Sequence, residues 1–310
     1  MVYDLIIVGS GAAGLAAGLY ARRYQMKTLV FTGEFGGETA TAGSIENYPG
    51  ILSIDGYDLM KTMKEQVEAI GGEVKEGWVK EIRQGGALFS VITDTDTVQA
   101  RTLILAVGAK RRHLGLANEK ELTGKGVHYC TTCDGPLYQG KTIAMVGGGD
   151  SSVKGVNFLG EYAQKIFFIV RGKEVLAEPI NLNQMKKLGD KVEILLETEV
   201  KEIVGEQKFE KVILSKPYQG STELALDGLF VEIGFDPDQT FTQQLGLETD
   251  SHGFLKADNL MKTNIPGVFG GGDATNFFGR FKQDITAAAL GSVAATSAYE
   301  YYKTLHIPKG

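Results

Sequence analysis

The sequence predicts an α/β protein containing two copies of a strand–glycine turn–helix–strand unit. Three observations carry this. Tyr3 to Val8 is a short apolar run that ends in a glycine-rich turn and leads into a small-residue helix from about Ala12 to Tyr24, the pattern of a strand buried on both faces and its crossover. A second apolar run, Thr28 to Phe31, closes that unit. The whole pattern then recurs: Thr142 to Val146 reads as a strand, Gly147-Gly148-Gly149 as the turn, Asp150 to Gly160 as a helix and Lys165 to Val170 as the next strand.

The remaining elements follow in order. Ile82 to Ile104 alternates and is rich in β-branched residues, as in Ser90-Val91-Ile92-Thr93, which predicts antiparallel strands leading into Thr102 to Ala106. Gly267-Val268-Phe269 is a late strand, followed by a helix from about Asp284 to Tyr302. Gly108 to His113 and Gly234 to Pro237 interrupt apolar runs with basic or turn-forming residues and mark domain crossings. Trp78 and the scattered tyrosines form no stripe and are expected to be packing residues.

Composition narrows the function. A chain of 310 residues suffices for two domains, and 43% hydrophobic with 23% charged residues is ordinary for a soluble globular protein. A net charge of -6 gives no electrostatic footprint for nucleic acid or an anionic membrane. Leu5 to Ala21 has the apolarity of a signal peptide, but Asp4 precedes it and Gly9, Gly11, Gly14 and Gly18 break it. No other stretch has the length of a membrane span. The expectation is a cytoplasmic protein with no nucleic-acid or membrane partner.

Gly9-Ser10-Gly11-Ala12-Ala13-Gly14 fits G-x-G-x-x-G directly after a strand and before a helix. The first glycine makes the turn, the second admits a pyrophosphate, and the third lets helix and strand pack closely. The phosphates then meet free N–H groups at the helix N-terminus. Glu34 stands about 20 residues past Gly14, where an acid holds a ribose hydroxyl. Gly147 to Ser152 is the second copy, with Gly147, Gly149, Asp150 and Ser151 as candidate contacts and Ser152 at the position where glycine or alanine is usual. An inherited turn that binds nothing is the alternative for this copy. Gly271-Gly272-Asp273 follows the late strand, and Asp273 is either a cofactor-hydroxyl acceptor or a turn aspartate.

Cys130-Thr131-Thr132-Cys133-Asp134 is the chemical centre, and it contains the only cysteines of the chain. A cysteine pair at this spacing closes a small disulfide ring if the backbone allows. A helix N-terminus there would favour the attacking thiolate, and Asp134 is placed to supply or remove a proton. Half of a zinc site is the competing reading. Structural zinc takes four ligands, and His113, His128, His252 and His306 form no matching second pair, so no metal is expected. Two unreactive buried thiols are the other alternative.

With these motifs in this order, the chain resembles the low-molecular-weight thioredoxin reductases over nearly its whole length. The resemblance rests on Gly9 to Gly14, Gly36-Gly37 ahead of Glu46-Asn47-Tyr48-Pro49-Gly50, Cys130 to Gly135, Gly147 to Ser151 and Gly267 to Asp273. It implies two Rossmann-like domains of three-layer ββα architecture, the second inserted into the first. Residues 1–111 and 236–310 form the FAD-binding domain, and 112–235 the NAD(P)-type domain with the cysteines. It implies FAD held at Gly9, Gly11, Ala12, Ala13, Gly14, Glu34, Gly37, Glu38, Asn47, Gly108, Asp273 and Gln283. It implies that Cys133 faces the flavin, Cys130 attacks the partner disulfide and Asp134 is the acid/base. It implies a homodimer that reduces thioredoxin or a thioredoxin-like dithiol protein. Cysteines and second nucleotide in one inserted domain must both reach one flavin, so a rotation about the two crossings is expected.

Several positions depart from the family pattern. Glu38 stands for a glutamine, Lys282-Gln283-Asp284 for Arg-Gln-Ala, and Val107 for a threonine. Lys154 and Gly155 replace two acids, and Val170-Arg171-Gly172 with Leu176 replaces a His-Arg-Arg run and a later arginine. Arg171 is the one member of that cationic cluster retained. Each charge-assisted hydrogen bond lost to a 2′-phosphate costs about 1.5–3 kcal/mol, so NADPH is expected to be a poor donor. NADH, with its ribose on Glu174 or Asp150, comes first and a non-nicotinamide donor of the ferredoxin type second. A dithiol oxidase and a non-enzymatic redox sensor are the other readings.

Overall fold

The computed structural model of the chain describes residues 2–279 and 281–305. His306, one of the histidines weighed as a zinc ligand, lies outside the described residues. The chain divides into two compact units: Met1–Lys110 with Pro237–Gly310, and Arg111–Asp236.

In the first unit, strand Val2–Val8 pairs in parallel with Thr28–Thr32 on one side and Thr97–Leu105 on the other. Glu73–Glu76 extends the sheet at one edge, and Val268–Gly270 pairs in parallel with Thr97–Leu105. Thr97–Leu105 serves two layers. Its first residues pair antiparallel with Leu88–Thr93, which pairs in turn with Val79–Gly85. Alternation sorts the two faces. Leu5 and Ile7 join the core under helices Ala12–Arg23, Gly56–Ala69 and Asp284–Thr304, whereas Ile6 and Val8 pack with Ile82, Phe89 and Val91 of the antiparallel layer. This is the three-layer ββα arrangement expected from the sequence.

The expected antiparallel run needs one correction. Leu103, Ile104 and Leu105 lie in the parallel sheet, paired with Ile6, Ile7 and Val8. They are buried on both faces, which suits apolar side chains without alternation. Helix Gly56–Ala69 was not foreseen; the Asp55 side chain caps it by accepting the Tyr57 N–H at 2.9 Å. Trp78 is also not an interior residue: it is 61% exposed, with its ring covering Gly33.

The second unit repeats the architecture. Five parallel strands run in the order Val127–His128, Gly228–Glu232, Thr142–Gly147, Lys165–Ile169 and Val192–Leu195. Val200–Val204, Lys211–Tyr218 and Ser221–Ala225 form the antiparallel layer. The crossings Ala109–Arg111 and Phe235–Pro237 are short strands paired with each other.

The first and last helices of the first unit pack closely because both are lined with small residues. Ala12, Ala13, Ala16 and Ala17 lie in one core with Ala287, Ala288, Ala294 and Ala295. At Gly291 the approach reaches the backbone: a Cβ there would overlap the Ala13 carbonyl oxygen. Gly291→Val is therefore expected to force the helices apart and destabilise the protein by at least about 2 kcal/mol. Chemical denaturation of the variant checks this; an unchanged midpoint would refute the packing argument.

Candidate functional site

The first glycine turn fulfils the geometry its sequence requires. Gly9 has φ +109°, and Gly9 and Gly14 leave no room for a Cβ: one at Gly9 would overlap Ala106 O, and one at Gly14 would overlap Gly9 O. Gly11 differs, since a Cβ there would have only Gly36 O, 3.7 Å away, within contact range. The middle glycine thus borders open space at the start of helix Ala12–Arg23, where a phosphate would sit. Ser10 Oγ donates to Thr32 Oγ1 at 2.6 Å and accepts the Gly36 N–H at 3.3 Å, which brings Gly36-Gly37 against the turn. Ala12 and Ala13 are buried in the same helix, and Glu34 is exposed just past strand Thr28–Thr32.

The segment after Gly37 is tied to the start of the last helix. Thr39 Oγ1 donates to Asp284 Oδ1 at 2.6 Å, and Asn47 Nδ2 donates to Gln283 Oε1 at 2.9 Å. Gln283 also caps helix Asp284–Thr304, with Thr286 completing a capping box. Glu38 is exposed in this segment, and Gly108 adopts φ +64° past strand Thr97–Leu105.

Asp273, in the turn after Val268–Gly270, makes no hydrogen bond among the described residues. Burial, and then the negative charge of Asp284, push its carboxyl up to about 6, against the pull of Lys282. Lys282 Nζ donates to the carbonyls of Thr275 at 2.7 Å and Phe277 at 3.1 Å and lies 4.6 Å from the Phe254 ring centre. Burial lowers its own proton affinity, while Asp273 and Asp250 raise it. A partly buried acceptor without a donor fits a cofactor hydroxyl, and together with the open space at Gly11 the residues present fit FAD.

The second turn is built alike. A Cβ at Gly147 would overlap Glu232 O, and Gly149 has open space. Ser152, fully buried, satisfies its hydroxyl by donating to Gly149 O at 2.7 Å. Ser151 is exposed on helix Asp150–Leu159. Both carboxylate oxygens of Asp150 have partners: Oδ1 accepts from Glu178 N–H at 3.0 Å and Asn181 Nδ2 at 2.9 Å, and Oδ2 meets Lys154 Nζ at 3.2 Å. The following segment folds back on the turn, with Leu176 N–H donating to Gly148 O at 2.8 Å. Arg171, Lys173 and Glu174 are exposed. The charge of Arg171 helps hold Glu199 below the usual carboxylate range, after the larger effect of Lys201.

Cys130 and Cys133 are joined in a disulfide, with Cα atoms 5.3 Å apart. Cys130 caps the one-turn helix Thr131–Asp134, and its Sγ accepts the Cys133 N–H at 3.2 Å. Cys133 is exposed and Cys130 partly so, which removes the reading of inert buried thiols. Among the described residues no cluster of three or more His, Cys, Asp or Glu can hold a metal ion. His113 pairs with Tyr129 at 2.8 Å, and His252 lies 3.3 Å from Ser251 Oγ.

Sequence reasoning missed two side chains here. Buried His128 places Nδ1 3.0 Å from Asp134 Oδ2. Buried Glu119 accepts from Tyr129 and from the N–H groups of Leu114, Gly115 and Leu116. Burial opposes its charge, but these bonds outweigh burial and hold it below the usual carboxylate range. No motif spacing announces either residue; both are assembled by the fold around the cysteine segment.

Comparisons with known proteins cover the whole chain. The family described as pyridine nucleotide-disulphide oxidoreductase matches residues 3–294. A thioredoxin reductase of Listeria innocua is 36% identical over 307 residues, 98% of this chain and 95% of that protein. The crystal structure of Lactococcus lactis thioredoxin reductase matches with a TM-score of 0.92 at 35% identity, covering 98% of this chain and all of the other. A ferredoxin-flavin thioredoxin reductase of Clostridium acetobutylicum is 34% identical, with a TM-score of 0.53 and coverage of 98% and 99%. Among the described residues no helix is long and apolar enough to cross a membrane.

Asp273 yields a pH prediction. Its folded value of about 6 lies above the ordinary 3.8, so folding favours the protonated form. This group's contribution is fully present below about pH 4 and is lost as pH rises through about 6. Asp273→Asn is expected to stabilise the flavin-free protein at pH 7, by up to about 3 kcal/mol, with the gain vanishing near pH 4. Thermal unfolding of both proteins across that range checks it; a gain independent of pH would refute it.

Proposed function

The chain belongs to the pyridine nucleotide-disulphide oxidoreductase family, and we propose that it is a flavoprotein disulfide reductase that passes electrons through FAD to the Cys130–Cys133 disulfide and on to thioredoxin or a thioredoxin-like dithiol protein. One observation carries the reading: the disulfide caps a helical turn beside Asp134 in a chain that matches a thioredoxin reductase over 98% of its length.

FAD, when bound, supplies two-electron transfer between the donor and the cysteine pair. The first unit would hold it, with Gly9, Gly11, Ala12, Ala13 and Gly14 about the pyrophosphate, Glu34 on the ribose and Gly37 near the flavin. Asp273 would accept from the ribityl chain, and Glu38, Asn47, Gly108 and Gln283 would lie about the ring. The second unit carries the cysteines and the second nucleotide turn at Gly147, Gly149, Asp150 and Ser151. Cys130 is assigned as the sulfur that attacks the partner disulfide, helped by the Cys133 N–H, which favours negative charge on it. Cys133 is assigned to the flavin side, and Asp134 moves the proton. The likeness to the family supports a cytoplasmic homodimer.

The donor is proposed not to be NADPH. Arg171 is coupled to Glu199, Glu174 stands nearby in sequence, and Leu176 offers no charge. A 2′-phosphate would find little to hold it. Asp150 is occupied by Glu178, Asn181 and Lys154, so a ribose of NADH would rely on Glu174. The likeness to the ferredoxin-flavin thioredoxin reductase supports the second reading, in which a ferredoxin-type protein is the donor.

Cys130→Ser and Cys133→Ser are each expected to abolish thioredoxin reduction while leaving the protein yellow. Appreciable turnover by either variant would end the relay, and a colourless wild-type protein would end the flavoprotein reading. For the donor, anaerobic stopped-flow reduction with NADPH, NADH and reduced ferredoxin in turn is decisive. NADPH is expected to be at least about tenfold weaker in affinity than in an enzyme with the full arginine cluster. Tight, saturable reduction by NADPH with NADH much slower would overturn the assignment.

A further inference from the structure

We propose that His128 is a positioning residue for the dithiol chemistry, holding the Asp134 carboxyl oriented through its imidazole. The proposal rests on the disulfide-reductase reading above.

The geometry is specific. His128 ends the edge strand Val127–His128, two residues before Cys130. Its Nδ1 is 3.0 Å from Asp134 Oδ2, and its Nε2 is 2.6 Å from the Tyr138 hydroxyl. The ring stacks on Phe230, with centroids 5.2 Å apart. These contacts select one tautomer. An ionised Asp134 accepts from Nδ1–H, which leaves Nε2 to accept from Tyr138 O–H. Burial and the neighbouring charges of Asp134 and Asp227 push the Tyr138 hydroxyl up to about 12, so it keeps its proton. Burial lowers the proton affinity of His128 and outweighs the opposite pull of Asp134, so the ring is neutral. The other oxygen of Asp134, Oδ1, has no hydrogen bond among the described residues. It is the oxygen left for the cysteines.

The exchange then balances. The Cys130 thiol gives its proton to Asp134 Oδ1, and its thiolate attacks one sulfur of the partner disulfide. A mixed disulfide forms, the partner's other sulfur leaves as a thiolate, and the proton on Asp134 passes to it. The Cys133 thiol gives up its proton by the same carboxylate. Its sulfur attacks Cys130, the Cys130–Cys133 bond forms, and the released partner thiolate takes that proton. Two electrons and two protons leave the pair and reach the partner. His128 stays neutral throughout, and its N–H holds the carboxyl in place while Oδ1 takes and returns each proton.

Other titratable groups face His128 besides Asp134 and Tyr138. With Tyr138 it lines a cleft of about 530 Å³ that also presents Lys125, Lys208, Glu210 and Asp227. Phe230, packed on the ring from the neighbouring strand, carries no charge.

The test uses the full-length protein reduced with dithiothreitol, with iodoacetamide alkylation rates measured against pH. In His128→Phe the Asp134 carboxylate loses its Nδ1–H donor and turns away, so the cysteines titrate without that negative charge held beside them. The alkylation midpoint is expected to fall by about one unit. In thioredoxin reduction, kcat is expected to fall by about tenfold or more with KM little changed. His128→Asn, whose amide can reproduce the Nδ1–H donor, restores most of both shifts. Profiles of His128→Phe that superimpose on wild type, or an Asn variant no better than Phe, would overturn the proposal. Alkylation requires neither flavin nor partner. A wild-type protein that reduces no thioredoxin would therefore sink the functional reading and leave the His128 test standing.

Discussion

The contact between the first and last helices governs the first unit. Ala13 presents its carbonyl where Gly291 has no side chain, so two distant parts of the chain pack backbone against helix face. That approach has two consequences. It holds helix Ala12–Arg23 over the parallel sheet, with its N-terminus beside Gly9 to Gly11. It also fixes the start of the last helix, where Gln283 and Asp284 receive hydrogen bonds from Asn47 and Thr39. A domain whose ends close on each other in this way accommodates an insertion between two of its strands, and the paired crossings Ala109–Arg111 and Phe235–Pro237 are that insertion's two stems.

The second unit uses buried polar groups rather than small residues to place its chemistry. Glu119 gathers three consecutive N–H groups and the Tyr129 hydroxyl. His128 does the equivalent two residues before Cys130, bridging Asp134 and Tyr138. A buried polar group left without a partner is costly, so these networks hold the cysteine segment in one conformation. The disulfide therefore follows directly on residues held in two satisfied clusters, Tyr129 with Glu119 and His128 with Asp134.

Charge separates the two glycine turns. At the first, burial raises the Asp273 carboxyl, which has no hydrogen-bond donor among the described residues. At the second, Asp150 is already satisfied by Glu178, Asn181 and Lys154. Two copies of one backbone device are thus left with different residual binding capacity, which depends on the side chains around each turn rather than on the turn itself.

Much of this was legible in the sequence because it depends on local periodicity and on residue types with few uses. Both strand–turn–helix units were readable from glycine spacing and continuous apolar runs, and the order of these motifs around a single C-x-x-C carried the family resemblance that implies the ββα fold class. The helix Gly56–Ala69, the parallel pairing of Leu103 to Leu105 and the exposure of Trp78 were not, because each is set by what a segment packs against. The same holds for chemistry. Cys130, Cys133 and Asp134 announce themselves by adjacency. In the sequence, His128 reads only as a candidate zinc ligand, and Asp150 as a ribose acceptor. Only tertiary structure decided their partners, because a hydrogen bond made by folding joins residues whose separation in sequence carries no signal.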